Sequence, residues 1–330
     1  MFAKHFRLRN LIQVGFVLLL LYIGVQFMRF VNYYNDFGFS NPVARPAGVE
    51  GFLPISALVA LKAWISTGVF DKIHPAGLVI FLAILTLSLL VKKAFCSWLC
   101  PIGTLSEGLS KIGRFFFGRN FHVPKVLDYI LRSLKYMILF FFANVILLGM
   151  SGESAAAFLN SPYNMLADVK MLHFFLNLSG LAFFVVGILV ILSVLFENFW
   201  CRYLCPYGAL LGIISMASPL KITRNAETCI GCGACTKACP NRLEVAETKR
   251  VWSPECSGCQ NCVSACPVKE TLEFKPSFVN KALSPKLVAV AVIGLWLLFV
   301  ITAKLTGHWQ TAITSDMYQK LIPLADQIGH

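Results

Sequence analysis

Five apolar stretches recur along the chain, separated by segments that hold most of its charged residues. A helix needs roughly 20 residues to cross the apolar core of a bilayer, which is about 30 Å thick. Four stretches reach about that length, and the second, with 17 residues, is short. The pattern therefore predicts five transmembrane helices, over residues 11–31, 75–91, 129–150, 172–196 and 287–305.

The outer loop that follows the first predicted helix contains a further apolar stretch over residues 52–67. Pro54 and Lys62 interrupt it, so we expect an amphipathic or re-entrant helix at the outer surface. A sixth span is the alternative, but an extra crossing would break the charge pattern of the loops. Residues 306–330 would form a short outside tail.

Composition agrees with a membrane protein and disagrees with a soluble one. Of the 330 residues, 57% are hydrophobic and 14% are charged, whereas soluble domains carry roughly 25% charged residues. The net charge of +13 is also compatible with nucleic-acid binding. The high apolar content favours membrane lipid as the partner, and we expect no nucleic-acid ligand.

Lysine and arginine indicate how the helices are oriented. With the N-terminus in the cytoplasm, the inside segments 1–10, 92–135, 197–202 and 221–286 hold 22 of the 29 basic residues. Acidic residues divide almost evenly, with 9 inside and 7 outside. Cytoplasmic loops are enriched in Lys and Arg. We therefore expect a multi-pass protein of the bacterial inner membrane, with a cytoplasmic N-terminus and an outside C-terminus.

Two segments of the chain resemble each other at an offset of 105 residues: LTLSLLVKKAFCSWLCPIGTL and VILSVLFENFWCRYLCPYGAL. Each contains a Cys-x-x-x-Cys-Pro motif, with Cys96 and Cys100 in the first and Cys201 and Cys205 in the second. Both motifs follow predicted spans that run from outside to inside. Spans one and two therefore repeat as spans three and four, and such parallel repeats pack around an axis along the membrane normal. We expect the four cysteines to lie close together at the cytoplasmic face.

The other eight cysteines form two runs of the pattern C-x2-C-x2-C-x3-C-P. This pattern is typical of bacterial ferredoxins, in which the fourth cysteine of each run ligates the other [4Fe–4S] cluster. It predicts two clusters. One is held by Cys229, Cys232, Cys235 and Cys266, and the other by Cys256, Cys259, Cys262 and Cys239. Zinc sites use paired Cys-x-x-Cys units, and disulfides are disfavoured in the reducing cytoplasm.

The Cys-x-x-x-Cys-Pro motifs predict a third site. Residues four apart on a helix lie on one face, so each motif offers two thiolates in the same direction. The four cysteines together suit either a third iron–sulfur cluster or a soft metal such as Cu(I). Cysteine is also a common buried core residue, which is the structural alternative.

The paired Cys-x-x-x-Cys-Pro motifs followed by a two-run ferredoxin segment resemble a known family. This family comprises the polyferredoxin-like membrane proteins of the NapH/NosR type, quinol dehydrogenase components among them. The stretch RPAGVEGFLPI, residues 45–55, is also similar to that family, and the resemblance covers residues 45–267. Two departures from the family are expected: no flavin-bearing outside domain before the first span, and a fifth span and tail after the ferredoxin segment.

The resemblance implies electron transfer between the quinone pool and a partner redox enzyme or soluble electron carrier through iron–sulfur centres. Arg45 and Glu50, on the outer loop, are candidates for a quinol site, with an interfacial ion pair as the alternative. A second hypothesis is a membrane metalloreductase that converts Cu(II) to Cu(I), as in copper-handling proteins that carry similar motifs. A third is a redox maturation scaffold. No phosphate-binding or dinucleotide fingerprint is present.

We therefore predict an all-α membrane protein of about five transmembrane helices, with a small α+β ferredoxin-like module on the cytoplasmic side. Residues 1–216 form a four-span region of two parallel repeats, residues 217–280 the two-cluster module, and residues 281–330 the fifth helix and tail. Cluster ligation replaces much of the core in so small a module. Loss of the clusters should unfold residues 225–270 and leave the spans intact.

Overall fold

The chain is mostly helical, with one small sheet, which agrees with the predicted class. A computed structural model describes residues 2–36, 39, 41–278 and 282–328. The α-helices are α1 (Phe2–Asn35), α2 (Pro54–Thr67), α3 (Pro75–Val91), α4 (Ala94–Trp98), α5 (Pro101–Phe117), α6 (Lys125–Ala143), α7 (Gly152–Leu159), α8 (Pro162–Met165), α9 (Ala167–Leu176), α10 (Gly180–Leu195), α11 (Pro206–Met216), α12 (Ala234–Lys237), α13 (Asn261–Ala265), α14 (Pro285–Leu305) and α15 (Ser315–Leu321). The strands are β1 (Leu220–Arg224) and β2 (Leu272–Pro276). Asn144–Leu148 and Trp200–Leu204 form π-helical turns, and Ala47–Phe52 and Ile322–Leu324 form 3₁₀ turns.

Three helices of the described residues are long and apolar enough to cross a membrane. They are Leu8–Asn35, Lys125–Leu148 and Pro285–Leu305, and they coincide with the first, third and fifth predicted spans. The second predicted span is α3, whose 17 uncharged residues are short for a bilayer. The protein is therefore a membrane protein, and the count of five crossings stays a prediction.

The fourth predicted span is not one helix, because α9 and α10 meet at a bend of 80°. Asn177 ends α9, and its N–H donates to the carbonyl of His173 at 2.8 Å. Near the start of α10 the Ser179 hydroxyl accepts the N–H of Ala182 at 3.3 Å. The Ser179 side chain thus offers the backbone an alternative to helical hydrogen bonding at the bend. The prediction of a continuous helix over residues 172–196 is therefore wrong. The two helices α9 and α10 would form either one broken span or a re-entrant loop.

The chain divides into two compact units, each built from three segments. Unit 1 comprises residues 1–17, 84–139 and 187–296. Unit 2 comprises residues 18–83, 140–186 and 297–330. All twelve cysteines belong to unit 1, whereas Arg45 and Glu50 belong to unit 2. The domain boundaries predicted at residues 216 and 280 stay a prediction.

In unit 1, β1 and β2 form an antiparallel two-stranded sheet in which Leu220 lies opposite Pro276 and Ile222 lies opposite Phe274. Ile222, Leu272 and Phe274 are buried on one side of this ribbon. The chain between the strands contains α12, α13 and both ferredoxin runs. The apolar core of this segment is therefore small, and the space beneath the sheet is lined by cysteines.

In unit 2, the C-terminal tail is part of a core. Tyr318 of α15 is buried, and its ring lies 5.2 Å from that of Phe30 on α1. The N–H of Ala312 donates to the carbonyl of Lys72 at 2.8 Å. The tail, to which the sequence assigned no role, thus completes the packing around the end of α1.

The helix expected over residues 52–67 is present in unit 2 as α2. Small residues of α2, namely Ala60 and Ala63, are buried in one apolar cluster with Ala155 of α7. Lys62 lies on the exposed side, where its ammonium donates to the carbonyl of Leu147 at 3.0 Å. The location of α2 at the outer membrane surface stays a prediction.

Candidate metal centres

Two cavities of similar size lie in the segment between β1 and β2, and each is lined by four cysteines. The first cavity has an empty volume of about 350 Å³, and its cysteines are Cys229, Cys232, Cys235 and Cys266. The second has an empty volume of about 340 Å³, and its cysteines are Cys239, Cys256, Cys259 and Cys262. In each cavity three cysteines come from one run and the fourth comes from the other run. This grouping is the one that the ferredoxin pattern predicts.

The two runs form the same local structure at an offset of 27 residues. Gly231 and Gly258 occupy equivalent positions, with φ angles of 68° and 63° that L-residues rarely adopt. The left-handed residues Gly233 and Gln260 precede α12 and α13 in the same way. These tight turns wrap the first three cysteines of each run around its own cavity. The following Cys-Pro extends to the other cavity.

The residues that line the cavities fit an iron–sulfur cluster. All twelve cysteines are free thiols, so the four sulfurs of each cavity are available as ligands. The Gln260 side chain also lines the second cavity, and neither its Nε2 nor its Oε1 has a hydrogen-bond partner among the described residues. A buried amide without a partner is costly, so this one indicates a polar or sulfur-rich occupant.

In each Cys-x-x-x-Cys-Pro motif the second cysteine lies outside the helical turn that contains the first, whereas the sequence suggested one helix for both. In both copies the N–H of the second cysteine donates to a carbonyl five residues earlier. Cys100 donates to Phe95 at 2.9 Å, and Cys205 donates to Trp200 at 3.0 Å. Proline disfavours the α conformation at the preceding residue. Both second cysteines are accordingly extended, with ψ angles of 121° and 103°, and the widened turn ends each motif.

The four cysteines of these motifs lie within electrostatic range of one another. Burial raises the pKa of the Cys96 thiol, Cys100 and Cys205 raise it further, and Lys93 opposes the rise. Burial likewise raises the pKa of Cys201, which the other three thiols also influence. Among the described residues, no group of three His, Cys, Asp or Glu side chains is arranged to hold a metal ion, and this applies to the ferredoxin cysteines as well. The motif cysteines are nonetheless close enough to influence one another's pKa.

Buried lysines accompany these thiols. Lys135 is 0% exposed and Lys93 is 5% exposed, and both ammoniums face the carboxylate of Glu255. The distances to Glu255 Oε2 are 2.6 Å from Lys135 Nζ and 3.7 Å from Lys93 Nζ. Burial favours the neutral carboxyl, but the two positive charges lower the pKa of Glu255 to about 2. Two buried cations thus share one buried anion beside the motif cysteines.

Equivalent residues of the two repeats contact the loops around the second cavity. The residue after the first cysteine is Ser97 in one motif and Arg202 in the other. The hydroxyl of Ser97 donates to the carbonyl of Ser257 at 2.8 Å, and Arg202 Nη1 donates to the carbonyl of Asn241 at 2.7 Å. Ser257 follows Cys256, and Asn241 lies two residues after Cys239. The second cavity is therefore the one that adjoins both repeats.

Arg202 is itself held rigidly. Its Nε and Nη2 donate to the two carboxylate oxygens of Asp128 at 2.7 and 2.8 Å. The hydroxyl of Tyr203 donates to Asp128 at 2.6 Å, and Arg132 also pairs with this carboxylate. A bidentate pair fixes orientation as well as charge. The contact between Arg202 and Asn241 therefore has a defined geometry.

Arg45 and Glu50 form a buried ion pair in unit 2. Arg45 Nη1 lies 2.6 Å from Glu50 Oε1, and Arg45 Nη2 lies 2.6 Å from Asp168 Oδ2. Glu50 also accepts the N–H of Gly77 at 2.9 Å, and His74 Nδ1 lies 3.6 Å from it. Burial works against a charged imidazole, but the hydrogen bond and charge of Glu50 raise the pKa of His74. The network supports the ion-pair interpretation, and quinol contact at Arg45 and Glu50 stays a prediction.

Sequence reasoning missed several residues of these networks. Lys135 lies inside the third predicted span, and an ionisable residue within an apolar segment needs a partner and marks a functional site by default. The position of Lys135 within an apolar segment could therefore have identified it as a candidate site residue. The sequence alone gave no indication of the partner of any of these basic residues. Lys135 pairs with Glu255, Arg202 with Asp128 and Arg45 with Asp168. In each pair the two residues come from distant segments of the chain.

Two iron–sulfur domain families match the chain. The family described as a 4Fe-4S binding domain matches residues 73–124 and, a second time, residues 176–225. Each match contains one Cys-x-x-x-Cys-Pro motif, so one family describes both copies. The family described as a 4Fe-4S dicluster domain matches residues 221–267, which contain both ferredoxin runs.

Several named proteins are similar to the chain. "Putative electron transport protein YccM" of Escherichia coli is 43% identical over 315 residues, which are 94% of this chain and 88% of the relative. "Ferredoxin-type protein NapH" of E. coli is 27% identical over 45% of this chain and 48% of the relative. "Regulatory protein NosR" of Pseudomonas aeruginosa is 31% identical over 45% of this chain and 20% of the relative.

No solved structure matches the chain. The domain matches cover both sets of cysteine motifs, and the match to YccM extends over nearly the whole chain. The protein is thus a [4Fe–4S]-binding membrane protein with a ferredoxin-type segment. It belongs, with YccM, to the NapH/NosR-type family of polyferredoxin-like 4Fe-4S electron-transport proteins.

Proposed function

We propose that the protein passes electrons between the quinone pool and a partner oxidoreductase or soluble carrier through three [4Fe–4S] centres. One-electron redox chemistry is what the clusters supply when bound, and the chain positions and shields them. The proposed ligands are Cys229, Cys232, Cys235 and Cys266 for centre 1; Cys256, Cys259, Cys262 and Cys239 for centre 2; and Cys96, Cys100, Cys201 and Cys205 for centre 3.

The contacts of Ser97 and Arg202 carry this proposal. They join both Cys-x-x-x-Cys-Pro motifs to the loops that line the second cavity. Centre 2 would therefore lie between centre 3 and centre 1. Cys232 of the first cavity is exposed, whereas Cys256, Cys259 and Cys262 of the second are buried. In such a series centre 1 is accessible to a soluble partner, and electrons pass from it through centre 2 to centre 3, or in the reverse direction.

The family match favours a cluster over copper at centre 3. Each of the two segments that match the 4Fe-4S binding domain contains one Cys-x-x-x-Cys-Pro motif. Lys93 and Lys135, with Glu255 as their shared counterion, leave an excess of buried positive charge that suits an anionic centre.

We further propose the topology and the quinol site that the sequence suggests. Five crossings would place the N-terminus and the ferredoxin segment in the cytoplasm of a bacterium and the C-terminus outside its inner membrane. The support is the excess of Lys and Arg in the inside segments. Arg45 and Glu50 remain the proposed quinol site on the outer side, because both are charged residues of the stretch 45–55 that resembles the family.

Metal analysis of anaerobically purified protein tests the number of centres. About twelve irons and twelve sulfides per chain are expected, because each cubane contains four irons. A Cys100→Ala, Cys205→Ala double variant should lose about four irons and retain the rest. About eight irons with one copper per chain would instead support the metalloreductase, and about eight irons without copper would leave centre 3 unsupported.

Anaerobic mixing with a reduced quinone tests the activity. Reduced menaquinone or ubiquinone analogues should bleach the cluster absorbance, or the oxidised quinone should reoxidise the reduced clusters. The double cysteine variant is the matched control, because it retains centres 1 and 2. Absence of both reactions in fully loaded wild-type protein would contradict a role in quinone-linked electron transfer.

A further inference from the structure

The two ferredoxin runs differ at the residue that follows their second cysteine. Run 1 has Gly233 there, and run 2 has Gln260. Both residues have a left-handed backbone, with φ angles of 67° and 59°. Glycine adopts this conformation freely, but an L-residue is strained in it. Run 2 therefore keeps a strained glutamine where run 1 shows that glycine suffices.

The side-chain amide of Gln260 is buried without a hydrogen-bond partner among the described residues. The residue is 1% exposed, and neither Nε2 nor Oε1 makes a hydrogen bond there. Gln260 lines the second cavity together with Cys239, Cys256, Cys259 and Cys262. Strain and an unsatisfied buried amide thus occur in one side chain at the wall of a cysteine-lined cavity. Residues that break local rules in this way occur most often at functional sites.

We propose that Gln260 is a positioning residue that donates its side-chain N–H to a sulfur of centre 2 and raises the reduction potential of that centre. The inference rests on the proposed placement of a [4Fe–4S] cluster in the second cavity. Reduction adds negative charge to a cluster, and a hydrogen bond to its sulfurs stabilises that charge. Centre 1 lacks the equivalent donor, because Gly233 has no side chain. The result is a difference in potential between two centres with the same ligands.

Redox titration of the loaded full-length protein tests the inference. Gln260→Met keeps the length and the strain but removes the N–H, whereas Gln260→Gly removes the N–H and relieves the strain. Both variants should reduce the ratio of reduced to oxidised centre 2 about tenfold at a fixed potential, which is about 59 mV for one electron. The reduction potential of centre 1 should stay at its wild-type value in both variants. The signal of centre 2 is identified as the one that Cys262→Ser removes.

The two variants separate tuning from packing. A structural role alone would change the midpoint of thermal unfolding and leave both potentials unchanged. If centre 2 has the wild-type potential in both variants at full iron content, the inference is wrong and the cluster assignment survives. If Cys262→Ser removes no four-iron centre, the assignment fails, and the inference fails with it.

If the variants lose iron, their potentials cannot be compared with that of the wild type, and a second measurement tests the inference. In that case wild-type protein labelled with ¹⁵N in the glutamine side-chain amide is examined by electron–nuclear double resonance. A hyperfine coupling between reduced centre 2 and an amide ¹⁵N is expected. Its absence in fully loaded protein would overturn the proposed hydrogen bond.

Discussion

The two ferredoxin runs share a cysteine spacing and enclose cavities of nearly equal volume, yet their surroundings differ. Cys232 in the first cavity is exposed, and the glycines Gly231 and Gly233 have open space where a Cβ would lie. In run 2 a Cβ on Gly258 would lie 3.2 Å from the carbonyl oxygen of Val91. Run 2 is enclosed by the rest of unit 1, and run 1 lies at an edge of it.

This difference shows which property each level of structure controls. Spacing gives both runs the same sulfur donors, and the crossover of Cys239 and Cys266 follows from that spacing. Enclosure differs because Ser97 and Arg202 contact the loops of the second cavity. Cluster potential depends on burial and hydrogen bonds as well as on ligands. Two similar runs can therefore hold centres with different roles.

The largest effect is expected from removing one cysteine of each cavity. Cys259→Ser should lose about four irons and make residues 225–270 sensitive to protease, because cluster ligation replaces an apolar core in this segment. Cys232→Ser, at the exposed edge, should also lose iron but leave the segment more resistant. Iron analysis and limited proteolysis of both variants measure the contrast. Equal protease sensitivity would remove the distinction between an enclosed run and an edge run.

A smaller but still large effect is expected at Arg202. Arg202→Met should destabilise unit 1 by about 2–3 kcal/mol, because it removes the bidentate partner of the Asp128 carboxylate, which then keeps only Tyr203 and Arg132. The free energy of unfolding in detergent is the measurement. Lys125→Met, which removes an exposed ion pair with Glu244, is the control and should have no measurable effect. Similar values for the two variants would show that the contact does not anchor the second cavity.

Alanine at the equivalent glycines should separate backbone strain from crowding. Gly231→Ala should cost about 1 kcal/mol of the free energy of unfolding, because only the left-handed backbone is strained. Gly258→Ala should cost about 2–3 kcal/mol, because its Cβ also meets the carbonyl of Val91. Denaturant titration of the two variants provides the comparison. An equal loss would mean that the loop of run 2 relaxes away from Val91.

The smallest effect is expected at Ser97. Ser97→Ala removes one hydrogen bond to the carbonyl of Ser257 and should cost about 1 kcal/mol. The same substitution at Ser133, whose hydroxyl bonds within its own exposed helix turn, is the matched control and should cost less. A thermal melt of each variant is sufficient. A neutral Ser97→Ala would leave Arg202 as the main contact between the repeats and the second cavity.

Much of the architecture was accessible from periodicity and spacing. Long apolar stretches predicted the helices Leu8–Asn35, Lys125–Leu148 and Pro285–Leu305, because length and hydropathy are local properties. The helix predicted over residues 52–67 is present for the same reason. The prediction over the stretch 172–196 was wrong because hydropathy does not register the polar residues Asn177 and Ser179 between α9 and α10, where the Ser179 hydroxyl caps the start of α10.

The expectation that both cysteines of each Cys-x-x-x-Cys-Pro motif lie on one helix was wrong for a related reason. Proline disfavours the α conformation at the residue before it, so Cys100 and Cys205 are extended, and the N–H of each donates to the carbonyl five residues earlier. The sequence contains that information, because a proline follows each second cysteine directly. The spacing of the cysteines alone does not include it.

Cysteine type and spacing were enough to predict iron–sulfur binding, because the donor atoms and their order are written along the chain. The assignment of four cysteines to each cavity was predictable on the same ground. Three features depend on contacts between distant segments: which cavity is enclosed, which lysines lie near the motif thiols, and why the Gln260 amide has no hydrogen-bond partner among the described residues. Those contacts are set by packing, in which Glu255 meets Lys93 and Lys135 only after the chain has folded.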